Sequence, residues 1–293
     1  MNGAIVVDKP RDWTSHDVVN RMRRIAGTRK IGHLGTLDPS ATGVLPLLLN
    51  RATRLAQFFT RNDKLYEGVI RFGWSTNTYD ADGQPTSVQS EPALDRARLE
   101  ELFDGFRGLI LQTPPPVSAK KVAGRPAYEL ARKNIAFDLT PVEVVIRKLE
   151  LLWVDGPEVG LRVDCGAGTY VRSIAHDAGQ ALGCGAHLKS LLRLQSGQFT
   201  IDQARTLDQL AQLSAEGRLA EALIPAMQLL PDFPNEIVDQ LTAGQIRQGR
   251  DFRVSPFRVR DGMKHVKAVS RAGELIAIGE AVMPNVYHPI LVL

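Results

Sequence analysis

Apolar and polar residues follow two different periods along the chain, and the two periods separate predicted strands from predicted helices. Short apolar runs, and alternation with a period of two residues, are typical of strands. The run Ala-Ile-Val-Val near the start of the chain is of this kind, and so is Val-Leu-Pro-Leu-Leu-Leu further on. Strands are predicted at 4–7, 44–49, 65–74, 142–153, 159–165, 267–270, 275–280 and 290–293, with a polar strand that ends near Thr200.

Apolar residues spaced three and four positions apart predict the helices. The first helix begins after Thr14, which can form a capping box with Asp17, and it continues to about Ala26. Thr169 is the candidate cap of a helix that contains Arg172 in its first turn. Further helices are predicted at 51–59, 94–106, 170–182 and 207–229, and one more is expected after Glu236.

Residues 231–234, Pro-Asp-Phe-Pro, interrupt both periods and are predicted to be a linker. A chain of 293 residues has room for one large domain and one small one. We therefore place the domains at 1–230 and 235–293.

Composition restricts the class of protein. Hydrophobic residues make up 44% of the chain and charged residues 23%, which is ordinary for a soluble globular protein. No apolar run approaches the length of a membrane helix, and no signal peptide is recognisable at the start. Cys165 and Cys184 are too few and too far apart for a metal-binding pattern, so free thiols in a cytoplasmic protein are expected.

The net charge is only +4, but the basic residues are concentrated in three segments. Such clusters predict a surface that follows a polyanion, with solvated basic faces as the alternative. The segments are 21–33, 118–134 and 247–264.

One carboxylate stands out, because Asp38 is the only acid between Met22 and Asn62. It lies in the stretch Gly-His-Leu-Gly-Thr-Leu-Asp-Pro-Ser-Ala-Thr-Gly-Val-Leu-Pro, where glycines permit turns or a close approach of a ligand. Pro39 disfavours a helical conformation at Asp38 and predicts an extended bend there. The residues alone leave two readings: a nucleophile or ion-pair partner, and a surface turn with an Asx cap.

This stretch resembles the signature of the TruB family of tRNA pseudouridine-55 synthases, GHxGTLDPxATGVLP, at every specified letter. The resemblance implies a pseudouridine synthase fold of the α/β (α+β) class, with a mixed, mainly antiparallel central sheet and a small C-terminal PUA-like β-barrel. It also implies that Asp38 is the catalytic residue. The target base would have to flip out of the folded RNA arm to reach Asp38. His33, beside the motif, would stack in the space that this base leaves.

Two more segments resemble family motifs. Tyr66, followed by a Gly-x-x-Thr-x-Thr-x-Asp-x-x-Gly hairpin, would pack on the target base and is a candidate base in the isomerisation. The segment Gly-Thr-Tyr-Val-Arg contains Tyr170 and Arg172, and a cation in the first turn of a helix calls for an acid opposite it. The resemblance makes that acid Asp38, so that Arg172 should depress the carboxylate pKa and keep it ionised. Leu191 corresponds to a leucine of the family's pocket.

The same resemblance implies an RNA substrate, the T-arm stem-loop of tRNA, and no cofactor, metal, membrane or protein partner for a monomeric enzyme. Residues 113–141 resemble an RNA-gripping thumb, for which a plain solvated loop is the alternative. Lys9, Lys64, Lys120 and Arg125 are the basic candidates for RNA binding.

The chain departs from the family pattern in two places: Ser40 stands where Leu is usual after Asp-Pro, and Leu65 where Arg is common. Without the family, Tyr66 reads as a half-buried strand tyrosine, Asp80 as a turn cap and His33 as an ordinary loop residue. Two other functions use the same scaffold: a guide-RNA-dependent subunit of the dyskerin-like branch, and a tRNA-binding or tRNA-folding protein without catalysis.

Overall fold

The computed structural model describes residues 1–117, 139–255 and 263–293, together with the backbone of 121–122 and 125–126. The strands are β1 Gly3–Lys9, β2 Ile31–His33, β3 Thr42–Leu49, β4 Lys64–Phe72, β5 Gly108–Gln112, β6 Lys121–Val122, β7 Arg125–Pro126, β8 Val142–Asp155, β9 Glu158–Cys165, β10 Ala186–Ser196, β11 Phe199–Thr200, β12 Ile224–Pro225, β13 Asn235–Val238, β14 Phe252–Arg253, β15 His265–Ser270, β16 Leu275–Met283 and β17 Val286–Val292. The α-helices are α1 Ser15–Ile25, α2 Arg96–Asp104, α3 Val171–Ala181, α4 Leu207–Ala215 and α5 Gln240–Arg247.

Ten strands form one large sheet in the order β12-β1-β3-β10-β4-β9-β8-β5, with β2 added to β3 and β11 to β10. The contact between β3 and β10 is parallel and short, at the pairs Thr42–Leu192 and Gly43–Arg193. The other neighbours in this sheet are antiparallel. The predicted mixed, mainly antiparallel sheet is confirmed.

The first four helices cover one face of this sheet with apolar side chains. The capping box predicted for α1 is present, since Thr14 and Asp17 bind each other's backbone N–H groups. This leaves the apolar side of α1 free to pack on the strands. The core on this face includes Ile5, Val7, Val18, Met22, Leu47, Ile70, Leu99, Phe103, Leu161, Ile174 and Leu210.

The second sheet, in the order β13-β15-β16-β17-β14, forms a small C-terminal half-barrel. It shares a second apolar core with β1 and β3, in which Val6 and Leu48 lie in one cluster with Ile278 and Leu291. Buried Lys267 extends this junction, because its ammonium donates to the backbone carbonyls of Met227 (2.9 Å) and Leu229 (2.8 Å). The two sheets are therefore packed on each other.

Three predicted helices differ from the structure. The helix at 207–229 ends at Ala215, because Gly217 takes a left-handed φ of 72°, and 3-10 turns and β12 follow. The segment after Glu236 begins as strand β13 and becomes helical only at Gln240. Asn50–Phe59 is helical, but it is a 3-10 helix.

Candidate active site

The backbone around Asp38 is fixed by residues from other elements. Ser15, at the start of α1, accepts from the Leu37 N–H (2.9 Å) and donates to the Leu37 carbonyl (3.1 Å). On the other side of Asp38 in the chain, the Pro39 carbonyl accepts from Lys9 Nζ (3.0 Å). The Asp38 carbonyl itself closes a turn with the N–H of Ala41 (3.1 Å). The carboxylate therefore projects from a loop that has little freedom.

Arg172 faces this carboxylate from the first turn of α3. Its Nη2 donates to Asp38 Oδ1 at 3.1 Å, and its Nε lies 2.9 Å from Oδ2. The second contact is an ion pair and not a well-directed hydrogen bond. The Arg172 side chain is 5% exposed to solvent, whereas the Asp38 side chain is 38% exposed. The Asp38–Arg172 pair predicted from the sequence is present.

The remaining guanidinium donors are also occupied. Nη1 donates to the Thr78 carbonyl (3.1 Å) and to Asp80 Oδ2 (3.2 Å), and Nη2 reaches the Val117 carbonyl (3.1 Å). Asp80 also accepts from Thr78 Oγ1 and from the N–H of Asp82, which is the turn-cap role predicted for it. Its ion pair with Arg172 was not predicted. Two carboxylates therefore offset the cost of a cation near a helix N-terminus.

The start of α3 is held by Gln112 and not by Thr169, so the predicted cap is wrong. The buried Gln112 side chain accepts from the N–H of Tyr170 (2.8 Å) and donates to its carbonyl (3.1 Å). The Thr169 hydroxyl instead donates to Gly166 (3.1 Å). Because Gln112 ends β5, it ties Arg172 to the edge of the large sheet.

Burial raises the pKa of the Asp38 carboxyl above its ordinary value. Arg172 acts in the opposite direction, as expected from the sequence, but the loss of solvent outweighs it. Asp80 adds to the increase, because a second negative charge disfavours ionisation. The expected depression of the Asp38 pKa is therefore wrong in its net direction.

A cavity of about 280 Å³ opens beside Asp38. Six residues predicted from the sequence meet at its wall, from elements far apart in the chain. These are Asp38, Lys64, Tyr66, Tyr170, Arg172 and Leu191.

Tyr66 lies deep in this wall, with 8% of its surface exposed. Burial raises the pKa of its hydroxyl, while the positive charge of Arg193 acts to lower that pKa. The phenol is therefore protonated at neutral pH, and the Arg193 guanidinium would stabilise the phenolate if the proton were lost.

Arg193 is the main site residue that sequence reasoning missed. Its buried guanidinium donates to the backbone carbonyls of Val44 (2.7 Å), Gly35 (3.1 Å) and Thr36 (3.4 Å). It thereby joins β10 to both ends of the Asp38 loop. The available signal was a charged residue within the apolar run Leu-Leu-Arg-Leu.

The remaining candidates occupy different positions. Lys9 is fully buried and donates to three backbone carbonyls, so the structure gives it a scaffold position and leaves no exposed ammonium for RNA. His33 is half-buried next to the Asp38 loop, and burial lowers its pKa. Lys120 lies outside the described residues. Arg125 is described only through its backbone, in the β6–β7 pair.

In the described ranges, no cluster of three or more His, Cys, Asp or Glu side chains could hold a metal ion. None of the helices in the same part of the chain combines the length and apolar character needed to cross a bilayer.

Comparison with known proteins gives consistent matches over the chain. The model of the TruB family pseudouridylate synthase N-terminal domain matches residues 23–171, and that of the tRNA pseudouridylate synthase B C-terminal domain matches 172–231. The chain is 61% identical over 293 residues to tRNA pseudouridine synthase B of Solibacter usitatus (strain Ellin6076), with 100% of both chains covered. It is 39% identical over 282 residues to the protein of that name from Aquifex aeolicus (strain VF5), with 96% of each covered.

Solved structures show the same fold. The chain is similar to one in an H/ACA RNP bound to a substrate RNA containing 2′-deoxyuridine, with a TM-score of 0.75 and 25% identity over 99% of this chain and 84% of that one. For a Cbf5-Nop10-Gar1 complex the TM-score is 0.74, with 27% identity over 97% and 79% of the two chains. The sequence identity over the full chain, the shared fold and the motif around Asp38 all agree. The chain therefore belongs to the TruB family of pseudouridylate synthases.

Proposed function

We propose that this protein converts uridine 55 in the T arm of tRNA to pseudouridine, without a guide RNA. The observation that carries the proposal is the partly exposed Asp38 carboxylate, which is paired with Arg172 at the wall of a cavity that Tyr66 also lines. The relatives named tRNA pseudouridine synthase B, which match the chain over nearly its full length, support tRNA as the substrate.

The reaction breaks the bond between C1′ and N1 of uridine and forms one between C1′ and C5. The C5 proton is lost and N1 gains a proton, so the product is an isomer and no electrons are exchanged. A carboxylate acts here as a nucleophile, at C1′ or at uracil C6, or it assists the formation of a glycal-like intermediate. Asp38 would supply it, and Arg172 would aim it and oppose the effect of burial by favouring the ionised form.

The target base has to leave the folded arm before it reaches Asp38, at a cost of roughly a few kcal/mol. His33 would stack in the space that the base vacates. Inside the cavity, Tyr66 and Leu191 would hold the uracil, and Tyr66 is the candidate for removing the C5 proton. Because its phenol is protonated at neutral pH, its own proton would first pass to N1, which gains a proton in the reaction, and the resulting phenolate would accept the proton from C5. Arg193 would assist that step, because a nearby cation stabilises a phenolate.

RNA binding would be divided among several surfaces. We propose that residues 1–230 carry the catalytic site, that 113–141, with Lys120 and Arg125, grip the arm, and that 235–293 bind RNA away from the target base. Tyr170 and Lys64 border the cavity and would contact the nucleotides next to the target. The enzyme would act as a cytoplasmic monomer.

The guide-dependent alternative has one observation in its favour, the structural similarity to chains of H/ACA and Cbf5-Nop10-Gar1 complexes. The higher identity to proteins named tRNA pseudouridine synthase B argues against it. The two functions differ in what must be added to the purified protein.

The test is to incubate the purified chain alone with unmodified tRNA and to detect pseudouridine at single-base resolution. Conversion of uridine 55 is expected with the wild type. Asp38→Asn is the matched control, and it should form no product while binding tRNA within about tenfold of the wild type, because the phosphate contacts remain. No product without added guide RNA, or turnover by Asp38→Asn, would contradict the proposal.

A further inference from the structure

Tyr79 has a backbone conformation that its residue type disfavours. Its φ of 66° lies in the left-handed region, where a Cβ is crowded against the following carbonyl oxygen. Asparagine and aspartate accept this region more easily, because their short side chains bond locally. Strained residues of this kind persist only where their surroundings hold them in place.

The neighbours of Tyr79 are the residues that hold Arg172. The Thr78 carbonyl and Asp80 Oδ2 both accept from Arg172 Nη1, and Tyr79 lies between them in the chain. The strained residue is therefore at the centre of the turn on which the orientation of Arg172 depends. A change of φ at Tyr79 would move both acceptors.

The Tyr79 side chain stacks on His176. The ring centroids are 3.7 Å apart and the planes differ by 9°. Burial lowers the pKa of His176, so the contact is between two neutral rings at neutral pH. The buried Nδ1 of His176 has no hydrogen-bond partner in the described part of the chain, so no bond at that atom orients the imidazole.

His176 follows Arg172 by four residues on α3, and residues with this spacing lie on the same side of a helix. The turn at 78–80 therefore contacts one side of α3 at two successive positions. Its carbonyl and carboxylate hold Arg172, and its aromatic ring holds His176. The backbone of the turn is also fixed by Leu188, whose N–H donates to the Tyr79 carbonyl (2.9 Å).

We propose that Tyr79 and His176 form a positioning pair for the active site. The stack keeps the turn closed on α3, the turn keeps the Arg172 guanidinium in place, and Arg172 aims Asp38. Neither ring touches the substrate in this role. The inference rests on the proposed function only in so far as the aim of Asp38 determines a rate.

Four variants test the pair. Tyr79→Phe keeps the ring and removes only the hydroxyl, whereas Tyr79→Asn removes the ring but suits the left-handed backbone. His176→Phe and His176→Ala make the same comparison on α3. The single-turnover rate at saturating tRNA should fall roughly 10- to 100-fold in Tyr79→Asn and His176→Ala, because small displacements of a reacting group cost about this much. Both Phe variants should stay within about threefold of the wild type, and tRNA affinity should change little in any of the four.

The double variant Tyr79→Asn with His176→Ala should be no slower than the slower single variant, because both changes remove the same contact. Additive losses would overturn the proposal, as would a normal rate in Tyr79→Asn, a loss confined to affinity, or a Tyr79→Phe variant as slow as Tyr79→Asn. Thermal unfolding of each variant identifies a protein that has lost its fold.

A second readout does not depend on activity. The Nε–H resonance of Arg172, assigned by its absence in Arg172→Lys, should shift or broaden in Tyr79→Asn and remain in place in Tyr79→Phe. An unchanged resonance in Tyr79→Asn would overturn the proposal, even for a protein that modifies no tRNA. Failure of the proposed function would instead appear as a wild type that forms no product, although its Arg172 resonance responds to Tyr79→Asn as expected.

Discussion

Arg172 binds acceptors from four residues, Asp38, Thr78, Asp80 and Val117, which come from three separate parts of the chain. A guanidinium can do this because its planar fork presents five N–H donors in fixed directions. An ammonium has the same charge but a single nitrogen. The shape of the group, as well as its charge, therefore determines the geometry at Asp38.

Arg172→Lys should reduce the single-turnover rate roughly 100-fold or more, because an ammonium keeps the charge but cannot hold the carboxylate with two donors, and a reacting group displaced by about 1 Å costs about this much. Arg162→Lys is the matched control, because Arg162 forms a partly exposed pair with Glu67. That variant should keep a nearly normal rate. Similar rates for the two variants would show that the fork is not required at position 172.

Asp80→Asn tests the electrostatics of the site. Asp80 raises the pKa of Asp38, so its neutralisation should lower that pKa. The rate requires ionised Asp38 and rises with pH through this pKa, and the acid limb of the pH–rate profile should therefore move to lower pH. Asp82→Asn should produce a smaller shift in the same direction, because Asp82 makes the smaller contribution. A shift of the acid limb to higher pH would contradict this assignment.

At the residue scale, the sequence was sufficient where a residue lies in a contiguous motif. Asp38 and Arg172 could be predicted as a pair because each belongs to a recognisable stretch. Arg193, Gln112 and the second role of Asp80 could not, because they act through backbone groups and side chains that meet only in the folded chain. The direction of the Asp38 pKa was missed for the same reason, since burial cannot be read from neighbours in sequence.

At the scale of elements, periodicity predicted the strands well and the ends of helices less well. The helix expected at 207–229 shows the reason. Leu219 and Leu229 are buried in 3-10 and extended segments and continue the apolar spacing of α4. An α-helix, a 3-10 turn and an extended segment that each bury one side all show a similar spacing of apolar residues, so spacing alone did not separate them. Gly217 was the signal in the sequence that the helix ends.

Gly43 tests the junction of β3 with β10. Its φ is 97°, and an added Cβ would collide with the Arg193 carbonyl and with Leu192. Gly43→Ala should therefore lower the free energy of unfolding by more than about 3 kcal/mol. Gly27→Ala is the control, because Gly27 also has a positive φ (61°) but has open space around it, and about 1 kcal/mol is expected there. Urea unfolding measures both, and equal losses would contradict a steric role for Gly43.

At the scale of the whole molecule, the two sheets cannot be treated as independent, because Val6 and Leu48 share a core with Ile278 and Leu291. Cutting the chain in the predicted linker would expose this core. The contribution of the C-terminal sheet to RNA binding is therefore better measured by surface substitutions than by truncation.

The pH dependence of the free energy of unfolding tests whether Lys267 is buried at this junction. Burial lowers its pKa from 10.5 to about 8. Between these two values the unfolded chain binds a proton that the folded chain does not, so the free energy of unfolding should rise with pH in this window. Lys267→Met lacks this contribution. From pH 7.5 to 10.5, the free energy of unfolding of the wild type should therefore rise by up to roughly 3 kcal/mol more than that of the variant.

Lys9, whose pKa is also lowered to about 8, contributes equally to both proteins and cancels in the comparison. Urea unfolding at several pH values provides the measurement. A difference between the two proteins that does not change with pH would show that Lys267 is not desolvated at the junction.

The place of β10 in the large sheet has a consequence for synthesis on the ribosome. β10 is the strand that joins β12-β1-β3 to β4-β9-β8-β5. Until Ser196 has emerged, the nascent chain holds two unconnected groups of strands. β4 then has an unpaired edge along its length, and β3, which is already paired with β2, lacks its partner at Thr42 and Gly43. Such edges invite pairing with other chains. The strand that covers the edge of β4 also carries Arg193, so this edge is paired and the Asp38 loop gains its anchor at the same stage of translation.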